Sequence, residues 1–177
     1  MRKLFAIILA LLVALPLAAA DLSEENVPDF LQGLGFAAGH YSGVGMSYKL
    51  IYKGKLGAQI TGGYYSDGDG DRWGMPGLEL QYYLARNRKT SFYISTGVSF
   101  EYNRNEYYYW YPEGEDDGYE EQNVEIDEIW TTGIGMGMEA LLLEGISVCV
   151  EPIMYYRDNG RASVMVQGAI HYYFNLD

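Results

Sequence analysis

Cysteine is nearly absent from this chain. Cys149 stands alone among 177 residues, so no intramolecular disulfide braces the fold, and stability has to come from packing or from a surrounding membrane. Positive charge is also scarce, with 12 Lys and Arg against 24 Asp and Glu, a net charge of −12. Phosphate-backbone recognition needs clustered Lys and Arg, which argues against nucleic acid as a partner. Long apolar runs are missing after the first 20 residues, where no stretch approaches the roughly 20 residues of a membrane-spanning helix. What the chain has in excess is Tyr, at 18, and Gly, at 22, a composition that suits strands and tight turns.

The N-terminus reads as an export signal. Arg2 and Lys3 precede an apolar run from Leu4 to Leu17, and Ala18-Ala19-Ala20 supplies small residues for cleavage, the tripartite pattern of a secretory signal peptide. The expected organisation is a signal peptide over 1–20, a lead segment over 21–32 that is acidic and contains Pro28, and a single domain over 33–177. Cleavage after Ala20 leaves ten basic residues against 24 acidic ones, a net of −14.

Eight segments then show apolar residues at every second position, the period of a strand. They are Gly33–Tyr41, Val44–Tyr52, Leu56–Tyr65, Gly77–Ala85, Ser91–Tyr102, Ile129–Ala140, Ile146–Tyr156 and Ala162–Phe174. The sixth alternates almost without fault, setting Trp130, Ile134, Met136 and Met138 against Thr131, Gly133, Gly135, Gly137 and Glu139. Pro152 interrupts the seventh, where a bulge or a gap in the hydrogen-bond ladder is expected. Connections alternate as well. Lys53-Gly54-Lys55, Arg86–Thr90 and Leu143-Glu144-Gly145 are short, whereas two of the intervening connections, Ser66–Trp73 and Asn103–Glu128, are long and polar.

Opposite each apolar face lie Gly, Ser, Thr and Ala with isolated polar residues, too few charges for eight strands whose outer surface meets water. The pattern predicts an inverted arrangement, apolar face to lipid and small polar face to the lumen. Aromatic residues collect near segment ends. Tyr52, Tyr82, Tyr83, Tyr172, Tyr173 and Phe174 fall at one end, and Tyr64, Tyr65, Phe100, Tyr102, Trp130, Tyr155 and Tyr156 at the other, as expected of two interfacial girdles. The predicted fold is all-β, an eight-stranded antiparallel up-and-down transmembrane β-barrel.

These segments and the closing strand Val164-Met165-Val166-Gln167-Gly168-Ala169-Ile170-His171-Tyr172-Tyr173-Phe174 resemble the small outer-membrane barrels of the OmpA and OmpX type. The closing strand is similar to the terminal signal by which such barrels are recognised for assembly, apart from the Asn175-Leu176-Asp177 that follows it. The resemblance implies a bacterial outer-membrane location, contact with outer-membrane lipid, and porin-like strand architecture.

Four constellations are candidates for chemistry. Glu79, Glu101, Glu139 and Glu151 are expected in the lumen with Lys49, as a structural polar network, since an eight-strand interior is filled by side chains rather than open. His40-Tyr41-Ser42 resembles the His-x-Ser of lipid A deacylase barrels, but Gly43 follows where that family has Asn, and no acidic partner stands suitably downstream. Asp67, Asp69 and Asp71 alternate like the opening of a calcium loop, yet Arg72 and Leu78 occupy positions where that template needs Gly and Glu. The segment 103–128 joins Tyr107-Tyr108-Tyr109-Trp110-Tyr111 to Glu113, Glu115, Asp116, Asp117, Glu120 and Glu121. Its aromatics either recognise a partner or extend the fifth strand and pack on its neighbour.

The expectation is a monomeric, non-enzymatic barrel with no catalytic residue, cofactor or metal assigned, interacting with an external ligand or protein through 103–128. Two other readings stay open: a lipid A-modifying outer-membrane enzyme, and a soluble periplasmic or secreted ligand-binding barrel.

Overall fold

The computed structural model describes residues 29–67, 70–87, 89–113, 117–143 and 145–174, the side chains of 109–122 excepted. The expected signal peptide, residues 21–28 of the lead segment, Asp69 and the terminal Asn175-Leu176-Asp177 lie outside them. Ten antiparallel strands form one sheet: β1 (Phe30–Gly39), β2 (Gly43–Tyr52), β3 (Leu56–Gly62), β4 (Tyr64–Ser66), β5 (Arg72–Gly74), β6 (Gly77–Arg86), β7 (Thr90–Glu113), β8 (Asp117–Leu143), β9 (Ile146–Arg157) and β10 (Ala162–Tyr173). The sheet closes on itself. β1 pairs with β10 from Gly33↔Tyr173 to Ala38↔Gly168, and β7 pairs with β8, so β1, β2, β3, β6, β7, β8, β9 and β10 form a ring of eight.

The two extra strands come from interruptions. Gly63 separates β4 from β3, and Met75-Pro76 separates β5 from β6, where proline supplies no ladder donor. β4 and β5 pair as a short hairpin, and β5 continues onto β7 from Gly74↔Tyr102 to Arg72↔Arg104. Of the stretch 66–73, expected as a loop, Ser66, Arg72 and Trp73 belong to these paired strands. At the opposite end, Lys53 and Gly54 both have positive φ (48° and 65°) and the Lys55 amide donates to the Tyr52 carbonyl at 3.0 Å, a type I′ turn whose twist matches its flanking strands.

Within the expected loop 103–128, residues 103–113 and 117–128 are strand. β7 and β8 keep one unbroken register from Thr90↔Ala140 to Glu113↔Asp117. Beyond the pairing of β5 at Arg104 and of β9 at Thr131, the two strands pair only with each other. Nine residues, 105–113, extend the ribbon roughly 30 Å at about 3.3 Å per residue. Alternating β-formers such as Tyr107, Val124 and Ile126 explain why the strand continues after the polar Asn103.

Side chains divide as the alternation predicts. Phe36, Ile60, Ile134 and Val166 are more than half exposed, whereas Ser47, Lys49, Gln59, Glu79, Glu139 and Glu151 are buried. Outward-facing aromatics collect at both ends, with Phe30 against Tyr52 at 5.0 Å and Phe100 against Trp130 at 4.9 Å. Tyr83 and Tyr173 depart from the expected girdle: both point inward and are buried, because they share the parity of the polar lumen positions. With Leu31, Ile51 and Tyr93 they make an apolar floor. Pro152 pairs with Val166 of β10, but the β8–β9 ladder skips from Gly135↔Ile153 to Met138↔Val150 without changing register. The irregularity is the expected gap rather than a bulge.

Glycine creates the space for one interior plug. Tyr41, fully buried, lies against Gly97, Gly133 and Gly135, and a Cβ at Gly133 would meet its ring at 2.6 Å and the Met154 carbonyl at 2.7 Å. Gly133→Val is expected to cost about 1–3 kcal/mol through overpacking. A Cβ at Gly62 meets nothing within 4 Å, so Gly62→Val serves as the neutral control, both being read from urea unfolding midpoints of the detergent-folded protein.

Candidate functional site

The interior is a layered polar network. Near the end that carries the short turns, the Lys49 ammonium is fully buried and donates to Glu139 Oε2 at 3.1 Å, with the ring centroids of Tyr93 and Tyr83 at 5.2 and 5.8 Å. Glu139 also accepts from Ser147 Oγ at 2.7 Å, from Tyr83 OH at 3.2 Å and from Tyr173 OH. A second layer holds Glu79, which accepts from Gln81 and from Gln167 Nε2 at 3.2 Å. Glu151 accepts from Tyr93 OH at 3.2 Å, from Tyr41 OH and from Ser95 Oγ. These donors replace the hydration that a buried carboxylate forfeits.

Glu101 does not join this network. It sits at the rim, partly exposed, and accepts from Arg157 Nη2 at 3.3 Å. The same Nη2 lies 2.9 Å from His40 Nδ1, and the His40 ring packs on Tyr155 with centroids 4.5 Å apart. Burial and the adjacent Arg157 hold the His40 imidazole below its usual range, with Glu101 pulling the other way, so Arg157 donates to a neutral ring. The His40 carbonyl accepts from Ser99 Oγ. Ser42 is buried, and no hydrogen bond joins it to His40; the pair that a hydrolase needs is not assembled here.

Of the three aspartates, Asp67 accepts the Asp71 amide at 2.9 Å and Asp71 accepts the Glu106 amide at 2.8 Å. Their carboxylates cap the β4–β5 turn and tie it to β7, a role typical of Asp in turns. Among the described residues, one group has metal-ligand composition: donor atoms of Glu139, Cys149 and His171 lie within 4.8 Å of one another. The Lys49 ammonium stands 3.1 Å from Glu139 and 3.7 Å from Cys149 Sγ, supplying the positive charge that a cation would bring.

Among the described residues, two hollows of about 40 and 10 Å³ lie against the interior side chains, each of a size for a few waters at most. Glu79, Tyr93, Glu151 and Gln167 of the network line the smaller, whereas the larger lies between Glu139, Ser147 and Tyr173 and the Arg86–Ser91 turn.

No family model and no curated protein matches the sequence. Among solved structures the chain is similar to the N-terminal β-barrel domain of Pseudomonas aeruginosa OprF, with a TM-score of 0.52 and 15% identity over 82% of this chain and 98% of that one. At that identity the likeness is one of fold. It is a β-barrel fold, in accord with the ring of eight strands.

Sequence reasoning placed Lys49, Glu79, Glu139 and Glu151 correctly by parity, and missed the parts that meet across the barrel. Tyr41 lies in the β1–β2 turn and reaches Glu151, 110 residues away. Arg157 reaches His40 from the far end of β9. Their only local signal was the run of glycines at 133, 135 and 137, which marks room for something bulky.

Lys49→Met leaves Glu139 buried without its counter-charge, and the expected loss is about 3–5 kcal/mol. The double change Lys49→Met with Glu139→Gln recovers most of it, because no unpaired charge then remains. Urea titrations of the detergent-folded single and double variants measure the difference.

Proposed function

We propose that this protein is a non-enzymatic outer-membrane β-barrel that holds the β7–β8 ribbon outside the membrane for contact with an external partner. The observation that carries the reading is the sidedness of the wall: a closed ring of strands with apolar residues outward and a hydrogen-bonded polar interior. In water such a wall is unfavourable at about 25 cal/mol per Å², whereas in lipid it is the required surface, and closure leaves no backbone edge unpaired. The fold likeness to an outer-membrane barrel domain supports the same reading.

The ribbon gives the barrel its outward role. Between residues 103 and 128 the chain carries ten acidic residues and one basic residue, Arg104, and Tyr107, Tyr108, Val124 and Ile126 are all substantially exposed. Aromatic rings beside carboxylates suit a cationic partner, through contact area, charge and cation–π attraction. Two like ribbons repel each other, which favours a monomer.

The mature chain is expected to fold in detergent micelles and in lipid vesicles with a β-rich circular dichroism spectrum, and to run faster on a gel unheated than boiled. Folding in plain buffer without detergent overturns the membrane reading. Replacing residues 107–123 by a two-residue Asn-Gly turn is expected to keep the gel shift and change the unfolding free energy by less than about 1 kcal/mol, since beyond Glu106, which Asp71 and Arg104 hold, the described part of the ribbon pairs only with itself. Loss of the gel shift in that variant means that the ribbon belongs to the folding core and is not a separable arm.

A further inference from the structure

The outer wall carries a hollow of about 500 Å³ beside the β4–β5 hairpin. Gly62, Gly63 and Gly74 form its floor, and Tyr64, Phe100 and Tyr102 stand around it. It exists because the wall is interrupted there, at Gly63 and before Pro76, and because the floor residues have no side chains. The hollow lies toward the end of the barrel that carries the ribbon.

One step further along the same face, Arg72 and Arg104 are directly opposite each other across the β5–β7 pairing, next to the pair Gly74↔Tyr102. Two residues of strand advance about 7 Å, so the two arginines stand on the wall one step beyond Gly74 and Tyr102, which line the hollow. Like charges directly opposite in an antiparallel pair are destabilising. Their adjacency is unexpected in a chain with 12 basic and 24 acidic residues. Glu106 pairs with Arg104 and offsets one of the two charges; Arg72 is exposed. The remaining positive charge, set above an apolar groove, fits an amphiphile with an anionic head.

We propose that this face binds one phosphorylated, acylated lipid of the outer leaflet, with its phosphate between Arg72 and Arg104 and one acyl chain along the glycine floor. The proposal rests on the outer-membrane reading above. Arginine suits the head because its planar fork donates two parallel hydrogen bonds to phosphate oxygens. The hollow suits the chain because surrounding lipid already excludes water from it, leaving shape to decide which chain enters.

The test folds the full mature protein in detergent micelles and follows lipid retention by native mass spectrometry with added lipid A, with dephosphorylated lipid A, or with inorganic phosphate. Wild type is expected to retain one lipid A. Arg72→Gln is expected to weaken retention about tenfold, as is dephosphorylation. Gly62→Phe, which fills the hollow from a position where a Cβ meets nothing, is expected to weaken it similarly while the heat-dependent gel shift persists. Retention unchanged by both substitutions means unselective boundary lipid and overturns the proposal. Displacement by inorganic phosphate together with indifference to Gly62→Phe overturns it in favour of a bare anion site. A chain that does not fold in micelles overturns the outer-membrane reading itself, and this site with it.

Discussion

Closure of β1 on β10 is the constraint from which the rest of the structure follows. The pairing runs from Gly33↔Tyr173 to Ala38↔Gly168, and it turns an open sheet, which has two edges of unpaired amides and carbonyls, into a ring that has none. Once the ring exists, parity assigns every strand residue to one of two surfaces. One of them is enclosed by eight strands and cannot be wide. The other is the whole exterior, and in this chain it is apolar.

The enclosed surface explains the odd chemistry of the interior. Glu79, Glu139 and Glu151 are buried alongside a single buried lysine, and such groups are tolerable only when hydrogen-bonded from several sides. Tyr41, Tyr83, Tyr93 and Tyr173 meet that need by bringing both bulk and a hydroxyl. Glycines at 97, 133, 135 and 137 make room for the rings. Inside the ring, tyrosine and glycine go together, since each of these interior rings lies against a position with no side chain. The Lys49 ammonium sits among Glu139 and Cys149, beside the donor cluster that His171 completes.

Outside the ring, β7 and β8 go on pairing after their other neighbours have ended. The pairing continues past Tyr102 and up to Ile129 in one register, but without a core to bury, polar residues enter both faces and the apolar period fades between them. Position 103 is where the barrel wall ends, which the change of composition marks. It is not where the strand ends, because backbone pairing with a neighbour already in register continues without hydrophobic help. The β4–β5 hairpin was hidden in the same way, by the Gly and Asp content of its turn.

The eight strands of the ring, the inward or outward assignment of most residues, an irregularity at Pro152 and the polar interior are all legible in the sequence, because alternation at period two is a local property of the chain and a closed sheet respects it. Tyr83 and Tyr173 were legible too by parity, and were misassigned only when proximity to a strand end was given more weight. Contacts between distant parts of the chain were decided by tertiary structure alone: Tyr41 on Glu151, Lys49 on Glu139 and Arg157 on His40 inside the barrel, and the apposition of Arg72 with Arg104 on its wall. Each depends on which strands are neighbours, on their stagger around the ring and on how far a side chain reaches across it, and none of those quantities is carried by a repeat of two residues.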